Sequence, residues 1–356
     1  MSKFHTLKVS EVVRETADAV SIAFAVPTEL KQEYTYKQGQ YLTLKLKVKG
    51  EELRRSYSIC SSPLDENELR VAVKKVKDGR VSTFINDTVK VGDVMEVMVP
   101  MGNFYSEMNA NNKKHYVLFA GGSGITPMFS ILKTVLKAEP QSRITLLYGN
   151  NDEPSIIFQK QIELLALTNA DRLNVVHILN TPPVNHPMLL QGVMEKGKII
   201  SLFENYIGMS ASNEYFICGP GPMMENVVAA LTELKINETQ IHIEYFTAPV
   251  STEEVKPAVD EVAGATATII LDGDEHKIVL NQGESILEAV LRKGLDAPYA
   301  CQGGSCCTCR ALLQEGKVEM RVNYALSKGE VKQGYILTCQ SRPTTATVTV
   351  NYDKGL

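Results

Sequence analysis

Apolar and polar positions alternate in short runs over the first third of the chain. The segments HTLKVSEVV, AVSIAFAV, YLTLKLKV, LRRSYSI, LRVAVKKV and VMEVMVP keep a period of two or are rich in β-branched residues. Turn-forming stretches such as VKG, SSPLDENE and KDG separate them. Many short strands with no long helical run predict an antiparallel β-barrel over residues 1–108. The rhythm then changes. HYVLFA, RITLLYG, NVVHIL, EYFIC and QIHIEYF read as strands, with helical runs such as PMFSILKTVLKA and MMENVVAALTELK between them. Residues 109–246 therefore predict βαβ units on a parallel sheet, whose ligand sites lie beyond the carboxyl ends of the strands. Residues 247–264 hold two prolines and no periodicity, and read as a flexible linker. Residues 265–356 predict a third unit: two strand-like runs, TATIILDG and EHKIVL, a helix in ESILEAVLRKG, a cysteine-rich loop, and strands near YILTC and ATVTVNY.

Composition narrows what these units can do. A chain of 356 residues is too long for one compact core, in agreement with two or three domains. The net charge of −4, from 37 basic and 41 acidic residues, gives no preference for nucleic acid or anionic lipid. No apolar run is long enough to span a bilayer, and the first residues lack an apolar core of signal-peptide length, so the expectation is a cytoplasmic protein with no membrane partner. In a reducing compartment, clustered thiols argue for metal or redox chemistry over disulfides.

Four of the seven cysteines fall in CQGGSCCTC, residues 301–309. Cys301, Cys306 and Cys309 have the spacing C-x4-C-x2-C, and Cys339 follows after two further strand-like segments. This is the plant-type [2Fe–2S] spacing, in which four thiolates hold two irons. Gly303 and Gly304 let the backbone fold tightly and aim amides at sulfur. Zinc sites more often pair two C-x2-C units, and only one is present, so the spacing ranks iron–sulfur above zinc and zinc above disulfide. Cys307 breaks the ligand spacing and reads as a bystander.

A cluster moves single electrons, whereas metabolic reductant arrives as hydride, and flavin is the usual converter. In RRSYS, Arg55 and Tyr57 share one face of a strand, which suits a guanidinium on a pyrophosphate and a phenol flat on an isoalloxazine. Spacing alone fits equally an exposed arginine and a half-buried tyrosine. Gly79 and Ser82 in DGRVSTF mark a turn opening a short helix, a second candidate phosphate contact. In HYVLFAGGSGITPM a strand leads through Gly121, Gly122 and Gly124 into a helix, with Thr126 placed to cap it. It is not the GxGxxG fingerprint, and a ligand-free βα turn remains open. EYFICGPGPMM repeats the arrangement, with Cys218 at the strand end before Gly219 and Pro220. Two such turns favour a dinucleotide cleft.

RSYS, GGSGITPM, CGPGPMM and the cysteine loop, in that order over essentially the whole chain, resemble the ferredoxin–NADP reductase superfamily, in its branch with a C-terminal plant-type ferredoxin. The resemblance implies an FAD-binding antiparallel barrel, an NAD(P)-binding α/β parallel-sheet domain and a β-grasp [2Fe–2S] ferredoxin domain. It implies that Arg55 contacts the FAD pyrophosphate, Tyr57 stacks on the flavin, Ser58 bonds near N5, and Ser82 meets the diphosphate. Gly121, Gly122, Gly124 and Thr126 would bind the nicotinamide nucleotide, and Cys218, with Gly219 and Pro220, would lie beside the nicotinamide. Glu244 and Phe246 match positions at the flavin's other face. Ser58, Cys218 and Glu244 would be the catalytic group, and Cys301, Cys306, Cys309 and Cys339 the cluster ligands. The acceptor implied is an oxygenase or hydroxylase component, with a stand-alone flavin or ferric reductase as the rival. After RITLLYG, the residues Asn151, Asp152 and Glu153 offer no cation for a 2′-phosphate, which leans toward NADH over NADPH. A flexible tether would let the third unit meet the flavin without charge steering, since residues 265–356 carry ten acids and ten bases, and the alternative is a linker that merely joins two docked domains.

Overall fold

The computed structural model describes residues 4–65, 68–246, 262 and 264–355. The proposed linker, residues 247–264, lies almost wholly outside them. Six strands build the first sheet: β1 (Phe4–Thr16), β2 (Ala19–Ala25), β3 (Tyr41–Val48), β4 (Glu51–Ser58), β5 (Leu69–Lys74) and, after helix α1 (Arg80–Thr88), β6 (Val94–Met98). Their order is β4-β3-β6-β1-β2-β5, and every pairing is antiparallel. An antiparallel bridge between Ile59 and Val71 joins the two edges, so the sheet closes on itself as a barrel. All six runs read from the alternation form strands. The inward positions Leu7, Val9, Val20, Ile22, Leu42, Leu44, Val71 and Val97 are fully buried, which is what period-two patterning demands of a closed sheet.

The second sheet is all parallel, in the order β11-β10-β7-β8-β9. It comprises β7 (His115–Gly121), α2 (Ile125–Ala138), β8 (Arg143–Asn150), α3 (Gln159–Thr168), β9 (Leu173–Leu179), α4 (Lys196–Tyr206), β10 (Asn213–Cys218), α5 (Gly221–Glu233) and β11 (Ile241–Glu244). The strand order reverses between β7 and β10, so the loops after these two strands flank a crevice. Helix α3 buries only Ile162, too thin an apolar stripe to stand out in the sequence.

The third unit holds β12 (Thr266–Leu271), β13 (Asp274–Val279), α6 (Ile286–Arg292), β14 (Arg310–Glu315), β15 (Val318–Met320), α7 (Lys328–Lys332), β16 (Tyr335–Leu337), β17 (Ser341–Pro343) and β18 (Thr347–Asn351). Its mixed sheet, β13-β12-β18-β14-β16, with α6 across it, is a β-grasp. Helix α6 starts where Ser285 and Glu288 form a reciprocal capping box, and Ile286, Leu287, Ala289 and Val290 supply its buried face.

This unit is docked on the barrel rather than held near it only by a tether. Tyr41, Met98 and Met101 of the barrel join the ferredoxin-like core in one apolar cluster. Arg54, only 4% exposed, reaches Asp296 at 2.5 Å, and its guanidinium lies 4.4 Å from the Tyr299 ring centroid. Asn103 donates to Glu330 at 2.8 Å, and Tyr245 of the second unit packs on Tyr324. Opposite charges at Arg54 and Asp296 thus orient on the barrel a third unit whose own acids and bases balance.

Candidate active site

Strand β4 presents two faces to two different neighbours. Arg54 and Ser56 point toward the third unit, where Arg54 is held by Asp296 and Ser56 bonds Thr43, itself in contact with Thr308. Leu53, Arg55 and Tyr57 lie on the opposite face, with Leu53 and Tyr57 against the barrel core. Arg55 is exposed, and its Nη1 donates to the Arg54 carbonyl at 2.7 Å. Tyr57 is half-buried, and burial pushes its phenol above the usual range.

At the end of β4, Ser58 Oγ donates to Glu244 Oε2 at 2.9 Å, joining the barrel to the last strand of the parallel sheet. In the β10–β11 register Cys218 stands beside Glu244, so the three predicted catalytic side chains meet where barrel and parallel sheet adjoin. Burial raises the Glu244 carboxyl to about 8, partly offset by the Ser58 hydrogen bond. Burial, then the charge of Glu244, holds the fully buried Cys218 thiol well above its ordinary value. Phe246, two residues on, is 40% exposed.

The two glycine turns form one wall. A Cβ on Gly124 would lie 2.0 Å from the Cys218 carbonyl oxygen, and one on Gly121 would lie 2.6 Å from Pro220 Cδ. A Cβ on Gly219 would meet Met223 Cε at 2.7 Å and the Gly121 backbone at 3.0 Å. These glycines are therefore required by turn-on-turn packing before any ligand is considered. Gly122 differs: its φ of +50° is left-handed, and the atom nearest an added Cβ is Lys74 Nζ at 3.7 Å. Lys74, the last residue of β5, is a cation beside this turn that the spacing arguments passed over. Its only sequence signal is the KKVK run before Asp78 and Gly79.

Two predicted roles change. Thr126 does not cap α2. Gly124 holds the N-cap position, and the buried Thr126 hydroxyl donates to the Ser123 carbonyl at 3.0 Å, leaving first-turn amides without a side-chain cap. Ser82 is buried too. Its Oγ accepts from the Val76 amide at 3.2 Å and donates to the Gly79 carbonyl at 3.3 Å, so the hydroxyl shapes the turn that leads into α1. Gly79 is needed there because a Cβ would fall 2.3 Å from Val76 Cγ2. On β8's exit loop, Asp152 accepts from the Ser155 amide at 3.0 Å, while Glu153 is exposed.

The cysteine loop gathers its four thiols as two pairs. Cys301 and Cys306 sulfurs are 3.1 Å apart, and Cys309 and Cys339 form the second contact. Cys306 also faces Cys309, and Cys301 faces Cys339. Within each pair the two thiols are close enough to share one proton. Among the described residues no three His, Cys, Asp or Glu side chains converge on one ion. Two thiolates per iron, in adjacent pairs, is the donor set of a two-iron cluster. Gln302 at φ 54° and Gly304 at φ 74° bend the loop, and a Cβ on Gly304 would press Val322 Cγ2 at 2.9 Å. The Gly303 amide donates to Cys301 sulfur at 3.4 Å, and Gln340 Nε2 to Cys339 sulfur at 3.5 Å, the latter a contact that spacing does not reveal. No cysteine is in a disulfide; Cys60 and Cys218 are buried apart from the loop. Cys307 is not idle. It is 3% exposed and packs on Tyr41 of the barrel.

Comparison with known proteins fits this geometry. Residues 6–105 match the oxidoreductase FAD-binding domain, 118–229 the oxidoreductase NAD-binding domain and 269–344 the 2Fe-2S iron-sulfur cluster binding domain. With a relative 42% identical over its full length, this chain belongs to the ferredoxin–NADP reductase family, as an NAD(P)H-dependent reductase carrying FAD-binding and 2Fe-2S domains. Among those relatives is one of the subunits of 1,2-phenylacetyl-CoA epoxidase from Escherichia coli (strain K12), 42% identical over the whole of both chains. The ferredoxin reductase component of 3-ketosteroid-9-alpha-monooxygenase from Rhodococcus rhodochrous is 37% identical over 95% of this chain and 94% of its own. Phthalate dioxygenase reductase shares the fold over 98% of each chain, with a TM-score of 0.59 at 24% identity. No helix among the described residues is long and apolar enough to cross a membrane.

Proposed function

We propose that this protein is the reductase component of an oxygenase, working in the cytoplasm and drawing its electrons from NADH. The oxygenase we assign is a phenylacetyl-CoA epoxidase, on the strength of the 42% identical, fully covered relative. Residues 1–108 hold FAD, 109–246 the nicotinamide nucleotide and 265–356 the cluster, with 247–264 joining the last two. FAD held at Arg55 and Tyr57 would supply the conversion of a two-electron hydride into single electrons, and a [2Fe–2S] cluster held by Cys301, Cys306, Cys309 and Cys339 would supply their onward relay.

The observation that carries this reading is the hydrogen bond from Ser58 to Glu244 beside Cys218. Each of the three comes from a different strand end, and together they present a hydroxyl, a carboxyl and a thiol at the crevice between barrel and parallel sheet. With its carboxyl raised to about 8, Glu244 keeps a proton at neutral pH while Oε2 accepts from Ser58, so the group orients the site without placing a full negative charge there. The neutral Cys218 thiol presents a small polarizable edge. Arg55 supplies a planar fork for a pyrophosphate and Tyr57 a flat ring for the flavin. The uncapped amides of α2 and the Lys74 ammonium supply positive potential for the nucleotide's phosphates, and Pro220 and Gly219 shape the nicotinamide end. Phe246, exposed two residues beyond Glu244, is the ring available to the flavin's other face. Exposed Glu153 disfavours a 2′-phosphate, hence NADH.

The visible spectrum of the purified protein tests this. Flavin bands over a broad iron–sulfur shoulder should appear, and NADH should bleach both without air. Consumption of NADH should then rise when the oxygenase and phenylacetyl-CoA are both added. A colourless, zinc-containing protein would overturn the reading, and a rate indifferent to the oxygenase would leave a stand-alone flavin reductase.

A further inference from the structure

The hydroxyl of Tyr41 joins residues 266 and 267 positions away in the chain, although its ring would pack equally well without it. It accepts from the Cys307 amide at 3.1 Å, lies 3.2 Å from the Cys307 sulfur and 3.1 Å from Thr308 Oγ1. Every one of these partners belongs to the loop that carries Cys306 and Cys309. A phenol 6% exposed would be costly if its oxygen met only apolar neighbours, and phenylalanine would fill the same space. The oxygen is there for the loop.

The other end of Tyr41 is equally fixed. In the β3–β4 register its backbone is paired with Ser58, and its amide and carbonyl exchange hydrogen bonds with Met101 at 2.8 and 3.0 Å. Thr43, two residues along on the same face, adds a contact to Thr308 Oγ1 at 3.4 Å and to Ser56 at 3.1 Å. One residue therefore connects Ser58, at the crevice, with the cluster loop through its own backbone and side chain.

We infer that Tyr41 is a positioning residue for electron delivery, holding the loop of Cys306–Cys309 in a fixed register against the strand that ends at Ser58. The inference rests on the reductase reading above. Electron transfer across a packed interface falls as donor and acceptor separate or lose their packed contact, so a loop released from this register slows the transfer while hydride delivery at the crevice is untouched. Cys307 takes part through its amide, which any residue but proline supplies, so its thiol is replaceable.

The test uses the complete holoprotein with Tyr41→Phe, mixed anaerobically with NADH in a stopped-flow spectrometer. The cluster-bleaching phase should slow measurably against wild type while the flavin-bleaching phase keeps the wild-type rate. Hydrogen exchange should show the Cys307 amide losing protection, a readout independent of turnover. Cys307→Ser should behave as wild type in both. An unchanged cluster phase, or an unchanged Cys307 amide, overturns the inference. If Tyr41→Phe does not fold, Thr308→Val removes the hydroxyl's second partner and should slow the same phase; no slowing overturns it. A wild-type protein lacking two bleaching phases would instead refute the reductase reading.

Discussion

Ser58 Oγ donates to Glu244 Oε2 at 2.9 Å, across 186 residues of chain, and this bond ties the barrel to the far edge strand of the parallel sheet. Because burial lifts the Glu244 carboxyl from its ordinary 4.5 to about 8, the bond has a consequence for pH. The folded state keeps a proton that the unfolded chain has released, so stability is greatest below about 4.5 and falls as pH rises through about 8. Thermal unfolding followed from about pH 4.5 to about pH 9 should show that decline, and Glu244→Gln should flatten it in the same window. A parallel decline in both proteins would remove Glu244 as its source.

Cys218→Ala removes the thiol beside Glu244 without opening the barrel. Hydride transfer from NADH should fall by about tenfold to a hundredfold, the cost of losing one positioning contact, while FAD content is retained. Single-turnover flavin bleaching and the flavin-to-protein ratio measure the two separately. Equal turnover would exclude the role assigned to Cys218.

Gly124 and Gly122 should respond oppositely to the reason usually given for glycine. Gly124→Ala, at an ordinary helical φ but with the Cys218 carbonyl 2.0 Å from the new methyl, should destabilise by about 3 kcal/mol or more through overpacking and weaken NADH binding. Gly122→Ala, with open space but φ +50°, should cost only about 1–2 kcal/mol of backbone strain. Denaturant midpoints and the KM for NADH distinguish the two.

Serine at Cys301, Cys306, Cys309 or Cys339 should abolish the iron–sulfur shoulder and leave the flavin bands, because each change removes one of an iron's two thiolates. The same variants should still pass electrons from NADH to ferricyanide. Iron analysis beside the flavin spectrum checks both statements, and a cluster surviving in any of the four would remove that residue from the ligand set.

The sequence was legible where a local rule applied. Period-two alternation located all six barrel strands, and C-x4-C-x2-C located the loop that brings Cys301 onto Cys306 and Cys309 onto Cys339. The parity of β4 separated Arg55 and Tyr57 from Arg54, yet gave no hint that Arg54 meets Asp296, because that contact spans 242 residues. Cys307 is the sharpest case. Ligand spacing excludes it from the cluster, and nothing local to residue 307 announces Tyr41. Thr126 shows the converse: a threonine near a helix start suits a cap, but Gly124 opens α2 and turns the hydroxyl inward. Interfaces between units are set by surfaces that no short motif encodes.

Strand β4 then acts as a lever with loads on both sides. Tyr57 and Arg55 hang from one face and Arg54 and Ser56 from the other, within eight residues. A change in the twist of this strand would swing the two sets in opposite senses, so on the proposed reading the place where reductant arrives and the place from which it leaves share one mechanical element. Selection cannot adjust one without retuning its counterpart.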